Sequence, residues 1–276
     1  MKSLLFGFVA LGAVCALAAP AWSVPTFYII QKDALFTQSG PSTVSPVGFQ
    51  FLARATPNDG IGPINFNAGT VSFPAASPLA TTALGPVGAE LRYNSGVVNQ
   101  TTYQTDYPDG NYVFHLTNSS PAATEDATVT VDSVTATPPP TAIPALTAAS
   151  FNALQGMDPT QPFTMNWNAF TGANSTALIF LFITDASNNI LFFDGPQPNA
   201  TQDTIPANTL QLGQQYGYKL FFSNTTVGPL VSSDGVQGEV LQDNRTSGSF
   251  TTAPEPSSAA LCLLGLGVLT LRRRRH

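Results

Sequence analysis

The sequence predicts an all-β protein with two tandem β-sandwich domains, flanked by an N-terminal signal peptide and a C-terminal transmembrane helix. Three observations carry that expectation. Charged residues make up only 9% of the 276, while Thr, Phe and Val are abundant, a composition suited to pleated strands. Short apolar or alternating runs recur between clusters of Pro, Asn, Asp and Gly, the spacing of a sandwich. No amphipathic helical pattern of useful length interrupts them. An apolar fraction of 43% also argues against disorder.

Residues 1–23 read as a signal peptide. Lys2 supplies one positive charge, an apolar stretch covers 4–17, and small residues with Pro follow. Ala21 and Ser23 present small side chains at the two positions a signal peptidase reads, so cleavage is placed after Ser23, with Ala18 and Ala21 as other sites. Cys15 follows Val14, which is too large for a lipoprotein motif.

The first domain is placed at residues 24–137, with strands at 26–31, 48–54, 64–73, 89–93, 111–117 and 127–132. Pro57-Asn58-Asp59-Gly60 and Pro108-Asp109-Gly110 supply turns. Tyr112, Phe114 and Leu116 alternate with Val113, His115 and Thr117, as in a half-buried strand. The Pro-rich stretch 138–144 is expected to be a linker, because Pro138-Pro139-Pro140 cannot join a central strand.

The second domain is placed at 145–252. Phe163, Met165, Trp167 and Ala169 share one strand face. Residues 178–183 are apolar at every position, the pattern of a strand covered on both faces. A turn at 185–189 leads back into 190–193, and Tyr216, Tyr218, Leu220 and Phe222 alternate in one phase. With Trp167 as an early core Trp and Tyr216 after the turn at 210–215, this half resembles a fibronectin type III or immunoglobulin-like domain. The absence of a Cys pair excludes the disulfide-bonded antibody type.

The carboxyl end has three features in fixed order: Pro254-Glu255-Pro256, an uncharged Leu-, Ala- and Gly-rich run at 257–271, and Arg272, Arg273, Arg274 and Arg275 before His276. As a helix the run spans ~22 Å against ~30 Å of hydrocarbon. The arginines can snorkel to the headgroups, and positive flanks stay cytoplasmic. This arrangement, residues 253–276, resembles the PEP-CTERM sorting signal of exosortase substrates. The resemblance implies that Pro254, Glu255 and Pro256 are read by a membrane-embedded exosortase, that 257–271 parks the precursor in the inner membrane, and that Arg272 to Arg275 stop translocation. It also implies a Gram-negative host that makes exopolysaccharide, with the processed protein at the cell surface or in the extracellular matrix.

Between the two signals five basic residues face fifteen acidic ones, a net charge of −10. Such a body disfavours nucleic acid and anionic membrane surfaces. Both cysteines lie inside the signals, so the folded part has no disulfide.

Candidate chemistry is sparse. His115 is the one histidine of the body, expected on the solvent side of its strand, without the partners of a nucleophilic triad or a zinc site. Most acidic residues sit in turns, including Asp59, Asp109, Asp194 and Asp234 before Gly, so paired-carboxylate hydrolysis is not expected. Asp106, Asp109 and Asn111, or Asp185, Ser187 and Asn189, offer loop oxygens without the calcium-loop pattern. Tyr93, Tyr103 and Tyr107 cluster as a possible sugar platform. Asn-x-Ser/Thr at Asn99, Asn118, Asn174, Asn199, Asn224 and Asn244 is read as surface composition. The expectation is a non-enzymatic surface or matrix protein without cofactor or metal, associated with exopolysaccharide or biofilm. The alternative is a carbohydrate-binding module for the host's exopolysaccharide.

Overall fold

The computed structural model describes residues 25–57, 66–119, 122–195, 197, 199–230 and 237–254. Among the described residues there are thirteen strands and two short helices. They are β1 (Pro25–Gly40), β2 (Thr43–Pro57), β3 (Ala68–Ser72), β4 (Thr82–Val87), β5 (Glu90–Asn94), α1 (Gln100–Asp106), β6 (Gly110–Ser119), β7 (Ala122–Val131), α2 (Ala148–Leu154), β8 (Phe163–Asn166), β9 (Leu178–Thr184), β10 (Ile190–Asp194), β11 (Gln202–Ile205), β12 (Gln215–Leu230) and β13 (Gln237–Thr251). The all-β expectation holds, and each helix is only seven residues long.

Local chemistry accounts for both helices. Asn99 Oδ1 accepts from Thr102 N at 2.9 Å and caps α1. Thr147 caps α2 in the same way, and Ser150, Phe151 and Leu154 form its buried stripe. Gly156, at φ +77, takes the left-handed turn that ends α2.

Eleven strands join in the order β10-β9-β12-β13-β1-β2-β5-β4-β3-β6-β7, and β11-β8 form a separate pair. The spine is four long strands. β1 pairs antiparallel with β2 and parallel with β13, and β13 pairs antiparallel with β12. The first and last strands of the body are therefore neighbours, a long-range pairing that no local signal encodes.

One face of this spine is covered. At one end Tyr28, Ile30, Phe51 and Ala53 meet Tyr112, Phe114 and Leu116 of β6 in a first core, to which Val240 of β13 also belongs. At the other end Tyr218, Leu220, Phe222 and Phe250 meet Met165, Trp167, Leu154 and Ile205 in a second core. Tyr218 crosses so close over Gly248 that a Cβ there would lie 2.5 Å from its ring. This approach lets Tyr218 donate its hydroxyl to Gln38 Oε1 at 2.9 Å.

Between the cores lies the Pro-rich stretch, and it is no free spacer. Prolines donate no N–H, so their segment presents carbonyls that need donors. Asn224 Nδ2 donates to Pro138 O at 2.8 Å and to Gly172 O at 3.0 Å. Asn244 Nδ2 donates to Pro140 O at 3.0 Å and to Ala142 O at 2.9 Å. Thr226 Oγ1 donates to Ala136 O, and Gln38 exchanges two bonds with the backbone of Leu146.

The strand at 64–73 is shorter than expected, and residues 58–65, with Asp59, fall outside the described part, as does Asp234. Strands β4, β11 and β13 were not expected.

Candidate functional site

The opposite face of the spine is open and builds a groove. Strand alternation sends Gln31 and Asp33 of β1, Leu241, Asp243 and Arg245 of β13, and Phe221 of β12 to that side. Phe180 and Phe182 of β9, Phe193 of β10, Leu52 and Arg54 of β2 and Arg92 of β5 complete a cavity of about 340 Å³. The expectation that 178–183 is covered on both faces is corrected here. Ile179, Leu181 and Ile183 are buried, whereas Leu178, Phe180 and Phe182 are only half-buried. Phe182 and Phe193 stack with centroids 4.7 Å apart, and Phe182 meets Phe221 edge-on at 5.4 Å.

Parallel register sets Asp33 beside Asp243 at the floor of the groove. Burial pushes both carboxyls above the usual aspartate range, and for Asp243 the neighbouring Asp33 adds to the effect. The two carboxyls stand side by side and titrate as a pair. Gln31 Nε2 bridges them, donating to Asp33 Oδ1 at 3.0 Å and Asp243 Oδ2 at 2.8 Å. Ser223 Oγ donates to Asp243 Oδ1. Arg245 lies over Phe221, 5.5 Å from its ring centre, with Nη1 3.6 Å from Asp33 Oδ2. Two polar atoms of these groove residues are buried without a hydrogen-bond partner: Asp33 Oδ2 and Arg54 Nε.

Positive charge gathers on this side. Glu90 lies 3.9 Å from Arg54 and 3.3 Å from Arg92. Register places Lys219 two residues from Phe221 on the same face. Burial, then Arg245, holds its amine below the usual lysine range. Burial raises the Glu239 carboxyl against the pull of Arg54. The fifth cation, Lys32, points to the covered face, where its ammonium meets Asp109 at 3.1 Å.

The residues singled out from sequence lie elsewhere. His115 is exposed on β6 and pairs with Asp126 of β7. Tyr93, Tyr103 and Tyr107 form no sugar platform. They pack on the first core, Tyr107 is stacked 4.4 Å from Phe51, and the Tyr93 and Tyr107 hydroxyls meet at 2.9 Å. Burial drives the Tyr107 hydroxyl well above its ordinary pKa. Asp109 turns to Lys32 and Ser133, and Asn111 to Thr130. Asp185 accepts from the backbone of Ser187 and Asn189 within its own turn. Asn224 and Asn244 are buried beneath the Pro-rich segment rather than on the surface.

Asp33, Asp243, Arg54, Arg245 and the groove phenylalanines were missed. Their signal was faint: Gln31-Lys32-Asp33 and Gln242-Asp243-Asn244-Arg245 are polar runs that look like strand ends when read alone.

Ser23, Glu255, Pro256 and Arg272, Arg273, Arg274 and Arg275 lie outside the described residues, as does the span 257–271. Among the described residues no helix is long and apolar enough to cross a membrane. The approach to the tail is well held. Thr252 Oγ1 donates to Gln211 O at 2.6 Å, Ala253 N donates to Met157 O at 2.8 Å, and Gly213 N donates to Ala253 O at 2.7 Å. Pro254 follows at once and is exposed.

The family model of the PEP-CTERM protein-sorting motif matches residues 252–275. The chain thus carries that motif. No curated protein matches the chain. Among solved structures, a biofilm associated protein, BSP domain, is similar at 16% identity and a TM-score of 0.22, covering 82% of this chain and 30% of its own. A trypsin-activated alpha-2-macroglobulin from Escherichia coli is similar at 9% identity and a TM-score of 0.23, covering 84% and 16%. The chain therefore spans under a third of either.

Proposed function

We propose that this chain is an exported, non-enzymatic surface or matrix protein delivered by an exosortase in a Gram-negative host that makes exopolysaccharide. The observation that carries this reading is the sorting motif at 252–275, which begins where the last strand ends. Pro254, Glu255 and Pro256 form the recognition site, 257–271 parks the precursor in the inner membrane, and Arg272 to Arg275 stop transfer. Signal peptidase opens the route by cutting after Ser23.

The non-enzymatic reading is supported by how the paired carboxyls are engaged: Gln31 bridges Asp33 and Asp243, Ser223 bonds Asp243, and Arg245 stands beside Asp33. His115 has an acidic partner and is half exposed. The part from 145 to 252 is read as a fibronectin type III-like unit. Supporting this, β11-β8 stands apart from β10-β9-β12-β13, Trp167 is buried, and Tyr216 accepts from Gln211 N at 2.8 Å through its hydroxyl. Two cores on either side of 138–144 support the two-domain division, with Val240 crossing it.

The sorting reading is tested with Glu255→Ala. The variant is expected to remain in the inner-membrane fraction with its Arg tail intact by mass spectrometry. Normal arrival at the surface would exclude the proposal. A second reading, carbohydrate binding, is favoured by the half-exposed phenylalanine rings of the groove.

A further inference from the structure

We infer that the groove on the open face of the spine binds an acidic saccharide, a uronate-type unit whose ring lies on the phenylalanines and whose carboxylate pairs with the arginines. The inference rests on the carbohydrate-binding reading and narrows its ligand.

Charge distribution is the first argument. The body carries five basic residues against fifteen acidic ones. Four of the five, Arg54, Arg92, Lys219 and Arg245, lie on this one face. The cations thus stand beside the groove phenylalanines, interleaved with Asp33, Asp243, Glu90 and Glu239. Guanidinium groups pair with carboxylates in planar geometry.

The second argument is unspent hydrogen-bonding capacity. Asp33 Oδ2 is a buried acceptor and Arg54 Nε a buried donor, neither with a hydrogen-bond partner. Leaving such an atom unpaired is costly. Both atoms lie closed off beneath the groove, so they mark its floor as polar and incompletely satisfied, while the exposed parts of the arginines are what a saccharide carboxylate meets.

Shape is the third. At about 340 Å³ the cavity lies toward the small end of ligand sites, which run from about 300 to 1,000 Å³. It opens at the sheet edge, where Phe193 of β10 is 49% exposed, so a polymer can continue past it. Single-stranded nucleic acid also combines anionic charge with stacking faces, and competition by oligothymidylate distinguishes it from the saccharide.

The test uses the full chain in mild detergent, run in native gels cast with polygalacturonate, with its fully methyl-esterified form, or with neither. Polygalacturonate is expected to retard the protein and the ester to do so at least about tenfold more weakly. Phe193→Ala and Arg92→Gln, both at partly exposed positions, are expected to reduce retardation by about tenfold while keeping the wild-type urea midpoint. Equal retardation by both polymers would overturn the acidic-sugar assignment and leave carbohydrate binding standing, whereas retardation by neither would remove both. Competition by oligothymidylate as effective as by galacturonate oligomers, or full binding by both variants, would also overturn the assignment. The sorting proposal is untouched by any of these outcomes.

Discussion

The two faces of the spine formed by β2, β1, β13 and β12 both carry polar residues in the middle of long strands, yet use them in opposite ways. On the covered face Gln38, Asn224 and Asn244 are neutral amides, and each spends its hydrogens on backbone carbonyls of the segment lying over it. On the open face Asp33, Asp243, Arg54 and Arg245 are ionisable, face one another, and leave polar atoms unmatched. A neutral amide matches a peptide carbonyl without bringing a charge out of water, so it serves as glue. Charges are costly to bury, and here Asp33 and Asp243, both buried, rely on Gln31, Ser223 and Arg245 around them. The lesson is that a polar residue in a strand has to be read with its face.

The sharpest way to break this contrast is at neighbouring residues. Phe222→Ala removes a ring that is fully buried and stacked on Phe170 at 4.6 Å, and should cost about 3–5 kcal/mol. Phe221→Ala, one position along on the open face, should cost about 1 kcal/mol. Urea unfolding measures both, and equal losses would mean that the two faces are equally packed. Next in size, Asn244→Ala leaves the carbonyls of Pro140 and Ala142 without their donor and should cost about 2–4 kcal/mol. A loss under half a kilocalorie would show that the amide row does not fasten the Pro-rich segment.

The smallest effect tests the open face through pH. Burial lifts the pair of acids, so the folded chain holds their protons more tightly than the unfolded one. The stability they contribute is complete below the ordinary aspartate pKa of about 3.9 and is lost as pH rises through the raised values. Asp243→Asn removes one of these protons from the balance while keeping a group that can bond Ser223 and Asp33. Its Tm should exceed wild type at pH 8, by about 2–4 °C for each kcal/mol relieved, with the gap closing toward pH 4. A gap independent of pH would show that the pair does not titrate in this range.

Much of the fold could be read locally. The alternation of Tyr112, Phe114 and Leu116 correctly placed them in a core, and Tyr216, Tyr218 and Phe222 likewise. The apolar run 178–183 was legible as a strand, but not as one with a half-open side, since a Phe reads alike in a core and in a groove. Tyr93, Tyr103 and Tyr107 show the converse: rings that could have faced water are held by Phe51 and Phe73, or, for Tyr103, by Phe49 and Tyr107.

Two things were settled by the sequence alone. The order of Pro254-Glu255-Pro256, apolar run and arginines wrote the sorting motif at 252–275, because such a motif is a pattern along the chain. Period-two alternation dictated an all-β body, because a strand's two sides are a local property. Only the tertiary structure decided that β1 lies parallel to β13, and with it that Asp33 meets Asp243 and that the cations share one face. Those residues stand some two hundred positions apart, and nothing within a few residues of either encodes which distant strand its backbone will pair with.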